Sequence, residues 1–544
     1  MVEGERVLPS DVDAQTLDAF FNAAASKIGE ANISRDHTCG APKGPHGQYS
    51  YGDPFPLLKD HTPSGAVRPE TVEEVQFVVK AANRFKVPLW TVSRGKNLGY
   101  GGSSPVVRGS VVLDLHRMRK IIEINEEYAY AIVEPGVTFF DLYETVKKRG
   151  LKLWPSVPSL GWGSIVGNTL DRGFGYTPEG EHSQMQCGME VVLPNGELIR
   201  TGMGAMEGNR CFALFKGGLG PSVDGLFFQS NLGVVTKIGI HCTPAPEAFI
   251  KCEVSVPREE DLAPLVGIST DLLRRRIVTN SPGLSNIVCL IMAAAAVEDP
   301  IVCPKIAPYV GKTAIPDHVL REIQNLKQWP WWVNLFSLYG PRELVEAQLA
   351  IVKRAFGKIP GAVVTAKLHT SEDGQSLDAE VIGEEPEILP QTGRPTLFSL
   401  TCLDFREKGA GHVAFAPVVP GSGREMYDWY LQARDLTMAA GFDFVADFHL
   451  FARYAIPIDL VMFKNSEQAQ MKALLKDLTD MTVRLGYSEY RTHVTFMDEV
   501  ASHHNFNNGA MSKLVSSFKD LLDPNGIISP GKSGVWNSNR KTKL

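Results

Sequence analysis

A glycine-rich stretch is the feature that most constrains this chain. Residues 156–182 read SVPSLGWGSIVGNTLDRGFGYTPEGEH and contain six glycines. The stretch has neither the period of a helix nor that of a strand. Glycines at this density let a backbone approach a flat, bulky group, because no Cβ intervenes. Long loops inside a compact domain are usually functional. We therefore predict a ligand-binding loop, and the alternative is an ordinary connection.

A second glycine loop follows a short apolar strand. The strand pattern VPLWTVSR, residues 87–94, runs directly into GKNLGYGG, residues 95–102. A strand that ends in such a loop presents a row of backbone N–H groups, which suits a phosphate. The strand pattern MEVVLPNGELI, residues 189–199, contains an Asn195-Gly196 pair that is typical of a hairpin turn. Two glycine loops among short strands and helices predict a ligand-binding α+β domain.

Length and composition limit the classes of protein. The chain has 544 residues, too many for a single core, so we expect two domains. A net charge of −6 predicts no nucleic-acid partner and no binding to an anionic membrane surface. The sequence has no apolar run of about 18 residues, so we expect no membrane span. Eight cysteines without a C-x-x-C pair argue against a disulfide framework or a zinc site.

The termini and the cysteines together predict an intracellular protein. The first residues, MVEGERVLPSDVD, lack the apolar segment of a secretory signal. Free thiols fit a reducing compartment. The last residues, Thr542, Lys543 and Leu544, resemble the peroxisomal S-K-L signal, and a frayed basic tail is the alternative. We therefore expect a cytoplasmic or peroxisomal location.

Helical periodicity divides the chain into three segments. Residues 1–250 alternate short helices with strands, and Thr71 followed by Glu74 predicts a capping box at the start of one helix. Residues 251–487 carry longer helical patterns with strands between them. Residues 488–544 return to loops around one helix.

Several motifs that could indicate a nucleotide or metal site do not meet the requirements of such a site. Residues 526–533 spell G-x-x-x-x-G-K-S, but no strand precedes them and Pro530 interrupts them, which argues against a nucleotide-triphosphate loop. The spacing of Gly161, Gly163 and Gly167 does not match a dinucleotide fingerprint. The thirteen histidines show no metal-ligand spacing, so we expect no metal site.

Two other candidate sites have more than one interpretation when only their residues are considered. His412 begins a strand pattern behind small residues, where a planar group could pack, and a structural histidine is the alternative. Tyr490 and Arg491 are neighbours in EYRTHVTFMD. If this segment is a strand, their side chains point to opposite faces, one into the core and one to the surface.

Five long motifs carry a family resemblance: SRGKNLGYGG, VPSLGWGS, RGFGYTPEG, EYRTHVTFMD and DPNGIISPGKSGVW. Together they closely resemble the vanillyl-alcohol oxidase family, whose members share the p-cresol methylhydroxylase-type FAD fold. The resemblance implies an α+β protein with a split FAD-binding domain, formed by residues 1–250 and 488–544. It also implies a cap domain, residues 251–487, with a helix-covered antiparallel sheet.

The resemblance implies FAD as the cofactor, covalently attached through His412. The other residues that match the family's cofactor-binding positions are Arg94, Gly95, Lys96, Asn97, Leu98, Gly99, Pro158, Leu160, Gly161, Gly163, Ser164, Gly167, Asn168, Gly173, Tyr176, Gly233, Val235 and Lys532. The family's histidine that assists the attachment falls at Phe55 here, and His61 is a substitute six residues later.

Tyr100, Tyr490 and Arg491 match the family's phenol-binding residues. The resemblance implies an oxidase of para-substituted phenols, in which hydride passes from the benzylic carbon to flavin N5 through a p-quinone methide and O2 becomes H2O2. Two alternatives stay open: a dehydrogenase or hydroxylase with another electron acceptor, and a poorly active flavin-bearing paralogue that binds phenols. The resemblance also implies a homodimer or a higher homo-oligomer.

This sequence departs from the family at the catalytic acid. Ser159 occupies the place of the active-site Asp, and a hydroxyl is not a carboxylate base at neutral pH without an activating partner. Trp162 replaces a glycine nearby. Asp447 stands where the family has an uncharged Thr across the cavity, and we hypothesise that the base has moved there. The alternative is a structural acid paired to His449 or to an arginine.

Overall fold

The computed structural model describes residues 7–38, 40, 61–371, 374–383, 385 and 388–538. Phe55 and the C-terminal Thr542, Lys543 and Leu544, named above, lie outside the described residues. Among the helices of these ranges, none combines the length and the apolar character that crossing a membrane requires.

The first part of the chain forms two larger sheets and a two-stranded ribbon. Its strands are β1 (Ile33–Ser34), β2 (Gly65–Val67), β3 (Leu89–Val92), β4 (Val111–Asp114), β5 (Ile121–Asn125), β6 (Tyr130–Val133), β7 (Leu153–Trp154), β8 (Gln186–Val192), β9 (Leu198–Arg200), β10 (Val234–His241) and β11 (Thr243–Pro244). Its helices are α1 (Ala14–Ile28), α2 (Val72–Phe85), α3 (Phe139–Lys148), α4 (Ile165–Leu170) and α5 (His182–Met185). The first sheet has the order β1-β2-β4-β3, and β2 and β3 run parallel to β4. The second is antiparallel, with the order β5-β6-β10-β8-β9, and β7 pairs with β11.

The capping box predicted at α2 forms only in part. Thr71 Oγ1 accepts a hydrogen bond from the Glu74 N–H at 3.2 Å, as expected of an N-cap. The Glu74 carboxylate accepts from the Glu70 N–H instead of the Thr71 N–H, so the reciprocal half of the prediction is wrong. The predicted hairpin at Asn195-Gly196 is confirmed, because β8 and β9 pair on either side of it.

A large antiparallel sheet forms the second part of the chain. Its strands are β12 (Ala248–Val256), β13 (Gly283–Asn286), β14 (Trp332–Gly340), β15 (Val363–Thr370), β16 (Gly411–Phe415), β17 (Pro417–Pro420), β18 (Ala446–Leu450), β19 (Tyr454–Phe463) and β20 (Ser488–Glu489). The helices of this part are α6 (Leu262–Arg274), α7 (Ile287–Ala296), α8 (Val302–Ile306), α9 (Asp317–Lys327), α10 (Arg342–Phe356), α11 (Gly423–Ala439) and α12 (Gln468–Arg484). The strand order is β15-β12-β14-β13-β18-β19-β17-β20, and β16 pairs with β19.

Helices pack on this sheet over an aromatic core, which confirms the predicted helix-covered antiparallel sheet. Fully buried Trp332, Trp429 and Tyr430 pack with Phe448, and the Tyr430 and Trp332 ring centroids lie 5.0 Å apart. The sheet extends from Ala248 to Glu489, so it reaches slightly beyond residues 251–487 at both ends. The division into domains at those two positions stays a prediction.

The C-terminal segment returns to the first part of the chain after α13 (Met497–Ser502) and α14 (Phe506–Leu522). The Leu89 N–H of β3 donates to Ile527 O at 2.7 Å, and the Ser529 N–H donates back to Leu89 O at 2.8 Å. The GKS sequence, residues 531–533, leads into a single 3-10 turn, Lys532–Gly534. A nucleotide-triphosphate loop would open an α-helix there, so the rejection of that motif is confirmed.

Candidate active site

One cavity of about 340 Å³ lies where the two glycine loops face the large sheet. The loop after β3 and the stretch between β7 and α5 form one side, and residues of β16, β18 and β19 form the other. Every predicted site residue except Gly99 and Gly161 lines this cavity. The sequence motifs therefore identified a group of residues that the fold brings together.

Gly99 and Gly161 are not among the residues that line the cavity, and each allows a neighbouring residue to approach the backbone closely. Gly99 has a φ of +78°, and a Cβ there would come within 2.8 Å of the His412 Nε2 atom. A Cβ at Gly161 would meet Pro395 at 2.3 Å. We predicted both glycines as cofactor-lining residues, and the structure instead gives them packing roles, one against His412 and one against the segment that precedes β16.

The ends of the glycine-rich stretch are tied together by a buried histidine. His182 Nδ1 donates to Asn168 Oδ1 at 2.7 Å, and Nε2 accepts from the Ser156 hydroxyl at 2.9 Å. This tautomer follows because an amide oxygen only accepts hydrogen bonds. Burial lowers the pKa of His182 to about 3, so the ring stays neutral. The contact turns the amide nitrogen of Asn168, a cavity-lining residue, away from His182.

The loop after β3 presents the groups that an anionic ligand needs. The backbone N–H groups of Gly95, Asn97 and Leu98 make no hydrogen bond to any described residue. Arg94 and Lys96 line the same cavity, and Arg94 donates to Gly136 O at 3.2 Å. Burial, followed by the nearby Arg94 cation, lowers the pKa of Lys96 to about 8. Free amides beside two cations fit the pyrophosphate of FAD.

Lys532 reaches the cavity from the C-terminal segment. Its Nζ lies 2.9 Å from Asp171 Oδ1, and the Asn97 amide donates to Asp171 Oδ2 at 3.5 Å. Asp171 also lines the cavity. These contacts join the loop after β3, the glycine-rich stretch and the C-terminal segment around the same ligand space.

His412 projects from β16 into the cavity and is 7% exposed. It packs against Gly99, so a group bound in the cavity would meet its ring. His61 does not line the cavity; its Nδ1 lies 2.9 Å from Pro105 O. The structure therefore gives no support to His61 as a substitute for the family's assisting histidine.

Tyr100, Tyr490 and Arg491 gather at one wall of the cavity. The Arg491 guanidinium carbon lies 4.0 Å from the Tyr100 ring centroid and 5.6 Å from that of Tyr490. The segment is not a strand at these two residues, because β20 ends at Glu489 and the chain bends there, so the opposite orientation that a strand would impose on Tyr490 and Arg491 does not apply. The Tyr490 hydroxyl and the Arg491 Nε are buried and find no hydrogen-bond partner in the described part of the chain.

A carboxylate–imidazole pair lies on the sheet side of the cavity. His449 Nε2 lies 3.0 Å from Asp447 Oδ1, and both residues belong to β18. The His449 side chain is 2% exposed, whereas that of Asp447 is 41% exposed and lines the cavity. Asp447 is therefore paired to His449, as one alternative held, and it also faces the ligand space, as the other required.

Ser159 lines the cavity together with a tyrosine. Its hydroxyl lies 2.5 Å from the Tyr176 hydroxyl. Burial, and next the negative charge of Asp447, raise the pKa of Tyr176 well above its usual value. Both hydroxyls therefore keep their protons at neutral pH, and this pair offers hydrogen bonds without a base.

Phe174 and His449 also line the cavity, and neither was predicted to do so from the sequence. The Phe174 ring lies 4.4 Å from the His449 ring and 5.6 Å from that of Phe451, between centroids. A signal for His449 was present, because alternate residues of a strand share a face and His449 follows Asp447 by two. For Phe174 the sequence offers only its place in RGFGYTPEG.

Comparisons with known proteins place the chain among FAD-linked oxidoreductases. Residues 63–202 match the family described as "FAD binding domain", and residues 403–533 match "FAD linked oxidases, C-terminal domain". The chain is 36% identical over 482 residues to the 4-cresol dehydrogenase [hydroxylating] flavoprotein subunit of Pseudomonas putida, covering 87% of this chain and 88% of that protein. It is 27% identical over 552 residues to 1'-carboxy-chondrochloren decarboxylase of Chondromyces crocatus, covering 96% and 98%.

Solved structures show the same architecture. The 4-ethylphenol oxidase from Gulosibacter chungangensis, in a complex with isoeugenol, superimposes with a TM-score of 0.88 at 32% identity, covering 98% of this chain and 100% of that chain. A structure of p-cresol methylhydroxylase with bound substrate gives a TM-score of 0.85 at 32% identity, covering 97% and 99%.

Proposed function

The chain belongs to the vanillyl-alcohol oxidase and p-cresol methylhydroxylase family of FAD-linked oxidoreductases, and from this premise we propose that it oxidises para-substituted phenols at the benzylic carbon. The observation that carries the proposal is the pair of buried polar atoms, the Tyr490 hydroxyl and the Arg491 Nε, which lack partners among the described residues and lie beside Tyr100 at the cavity. The names of the relatives, 4-cresol dehydrogenase and 4-ethylphenol oxidase, support the same substrate class.

The three residues suit a phenol oxygen that becomes negatively charged. Burial raises the pKa of Tyr490 well above its usual value despite the Arg491 cation, so its hydroxyl remains a donor. The Arg491 guanidinium is a fixed cation at this wall, and an adjacent cation lowers the pKa of a bound phenol. Charge-assisted hydrogen bonds to the oxygen are shorter and stronger than neutral ones. A phenolate held here is electron-rich at its para carbon.

FAD, when bound, supplies the hydride acceptor for the benzylic carbon. The residues that would hold it are the loop 94–98, the glycine-rich stretch with Asn168, and Lys532, all of which line the cavity. We propose His412 as the covalent attachment point, supported by its place in the lining and its packing on Gly99. Acid-denatured protein that keeps its yellow colour is the expected result, and colour that passes entirely through a filter would contradict the linkage.

We propose Asp447 as the base that removes a proton from water or from the oxidised product. The His449 contact fixes one carboxylate oxygen, and the exposed part of Asp447 faces the ligand space. Ser159 and Tyr176 cannot take this role, because neither carries a negative charge at neutral pH. The base therefore acts from the sheet side of the cavity, opposite the place where the family has its acid.

Replacing Asp447 with Asn tests this assignment. We expect slower product formation, about 10²-fold or more, as is typical for the loss of a general base. We also expect a lower enantiomeric excess of any chiral alcohol product. His449→Gln, which keeps a donor to Asp447, is the matched control and should cause a smaller loss. An Asp447→Asn variant with unchanged rate and stereochemistry would contradict the assignment.

Anaerobic mixing tests the proposed substrate class. We expect the flavin absorbance to bleach with para-alkylphenols and para-hydroxybenzyl alcohols. Aliphatic 2-hydroxy acids, the substrates suggested by relatives that match only part of the chain, such as the glycolate oxidase subunit of Bacillus subtilis, should not bleach it. Bleaching by a hydroxy acid alone would overturn the proposal, and bleaching by neither class would favour a flavin-bearing paralogue that only binds phenols.

We propose O2 as the electron acceptor, with H2O2 as the product. The alternative is a protein acceptor, favoured by the relative named as a dehydrogenase flavoprotein subunit. Stopped-flow mixing of the reduced protein with O2 separates the two. We expect reoxidation fast enough to support turnover, whereas reoxidation much slower than turnover with an artificial acceptor would identify a dehydrogenase.

We also propose a homodimer or higher homo-oligomer. Exposed apolar side chains in one segment of the first part, Met206, Phe215 and Leu219, support it. Sedimentation velocity at micromolar concentration should show a species larger than the 59.6 kDa chain.

A further inference from the structure

Lys96 and Trp162 bring the two glycine loops into contact. The Lys96 Nζ lies 4.6 Å from the centroid of the Trp162 ring. Lys96 belongs to the loop after β3, and Trp162 belongs to the glycine-rich stretch. Lys96 lines the cofactor cavity, whereas Trp162 is not among the lining residues and contacts the Lys96 side chain from behind them.

Each partner is held by its own part of the fold. The Asn97 carbonyl accepts from the Tyr100 and Gly102 N–H groups, which fixes the turn that carries Lys96. The Gly161 N–H donates to Thr396 O at 2.9 Å, which fixes the chain beside Trp162 against the segment that precedes β16. The ring is therefore presented to the ammonium by a backbone that has little freedom to move.

The contact compensates for an unfavourable environment of the Lys96 ammonium. The site is partly desolvated and Arg94 lies in the same loop, and both effects disfavour the charged form, while Asp114 favours it. An aromatic face stabilises a cation more strongly when water is excluded. A glycine at position 162 would leave the ammonium without this face.

We propose that Trp162 is a cofactor-positioning residue that holds the charged Lys96 side chain toward the pyrophosphate of FAD. The ammonium then adds to the backbone N–H groups of Gly95, Asn97 and Leu98, which are available to the same anion. The selectivity follows from charge: FAD carries a pyrophosphate, and riboflavin does not. Trp162 therefore contributes to the affinity for FAD and not to the affinity for the isoalloxazine ring.

Equilibrium titration of flavin fluorescence tests this inference. The His412→Ala variant serves as the background, since it cannot form the proposed linkage and lets binding be reversible. We expect Trp162→Gly to weaken FAD binding by about tenfold, the size of a partly desolvated cation–π contact, and riboflavin binding by less than about twofold. Trp162→Phe, which keeps an aromatic face, should retain most of the FAD affinity.

A double-mutant cycle with Lys96→Met identifies the partner. In the Lys96→Met background, Trp162→Gly should cause no further loss of FAD affinity. Trp329→Gly is the matched control, because Trp329 also contacts a lysine, Lys327, at 5.3 Å, but this lysine, unlike Lys96, does not line the cavity. The control should leave both affinities unchanged. Equal losses for FAD and riboflavin, or a full effect of Trp162→Gly without Lys96, would overturn the inference.

The titration uses no phenol. Its outcome is therefore independent of the proposed substrate class, and a failure of one proposal can be distinguished from a failure of the other. Thermal unfolding of each variant, measured without flavin, checks that the loop change has not unfolded the protein: an unchanged unfolding temperature together with a selective loss of FAD affinity supports the inference.

Discussion

Removal of the Tyr490 hydroxyl should affect binding and stability in opposite directions. This hydroxyl is buried and has no hydrogen-bond partner within the residues that the structure describes. A buried hydroxyl without a partner carries a desolvation cost of about 1–3 kcal/mol. Tyr490→Phe removes that cost and keeps the ring, so the free energy of unfolding of the ligand-free protein should stay the same or rise by up to about 1 kcal/mol.

Binding of a phenol should weaken in the same variant. The lost hydrogen bond to a charged oxygen is worth about 1.5–3 kcal/mol, which corresponds to a roughly 10- to 100-fold increase in Kd. The assay is titration of the oxidised flavin spectrum with a para-substituted phenol that lacks a benzylic hydrogen, so that no turnover occurs. Urea unfolding of the same preparations measures stability.

Tyr454→Phe is the matched control for Tyr490→Phe. The Tyr454 hydroxyl donates to Glu181 Oε1 at 2.6 Å, and Tyr454 does not line the cavity. The control should therefore lose stability, by about 1–3 kcal/mol, with little change in phenol affinity. A Tyr490→Phe variant that loses stability and keeps its affinity would refute the assignment of Tyr490 as a ligand-binding donor.

Two further predictions concern groups away from the cavity. Burial raises the pKa of Asp459 to about 8, whereas an unfolded Asp ionises at about 4. The folded state therefore holds an extra proton between these pH values and loses stability as the pH rises. In the Asp459→Asn variant, the fall of the urea-unfolding free energy between about pH 5 and 8 should be less steep by about 1 kcal/mol per pH unit, and parallel curves for the two proteins would contradict this. The Lys519 ammonium is fully buried and donates to Asp523, Asn231 O and Ile528 O. Lys519→Met should cost about 3–5 kcal/mol in unfolding free energy, because it removes the cation from the buried Asp523 carboxylate, whereas Lys476→Met, which breaks an exposed pair with Asp480, should cost less than about 1 kcal/mol. Equal losses would argue against a buried anchor.

Local signals in the sequence were sufficient to locate the cofactor cavity. The loop 94–98 and the stretch 156–182 could be recognised because glycine density and a strand that ends in a glycine loop are local properties. The helix-covered antiparallel sheet could be predicted for a similar reason, since long helical periods separate strands throughout residues 251–487.

The orientation of side chains at the ends of strands could not be predicted in the same way. On the residues alone, Tyr490 and Arg491 would lie on opposite faces only if their segment were a strand, and the chain in fact bends after Glu489. The strand pattern that begins at His412 is likewise interrupted at Ala416, which lies between β16 and β17. Such breaks depend on pairing with other strands, here β19 and β20, which are distant in sequence.

A fully apolar helix and a buried lysine were equally hard to predict from the sequence. Helix α7, with the sequence IVCLIMAAAA, has no polar face and no periodic signal, and it was not predicted. The burial of Lys519 had no local signal beyond its spacing of four residues from Asp523. Lysine is almost never fully buried unless it is paired, so only the tertiary contacts reveal this anchor.

The central claim is that Tyr100, Tyr490 and Arg491 hold a phenolate whose benzylic carbon is oxidised. The most direct test is anaerobic stopped-flow mixing of the flavin-loaded protein with a para-alkylphenol and, separately, with the O-methyl ether of the same compound. The ether has the same shape near the benzylic carbon but cannot form a phenolate. We expect the free phenol to reduce the flavin and the ether to leave it oxidised. Reduction of the flavin by the ether at a rate similar to that of the phenol would contradict the account.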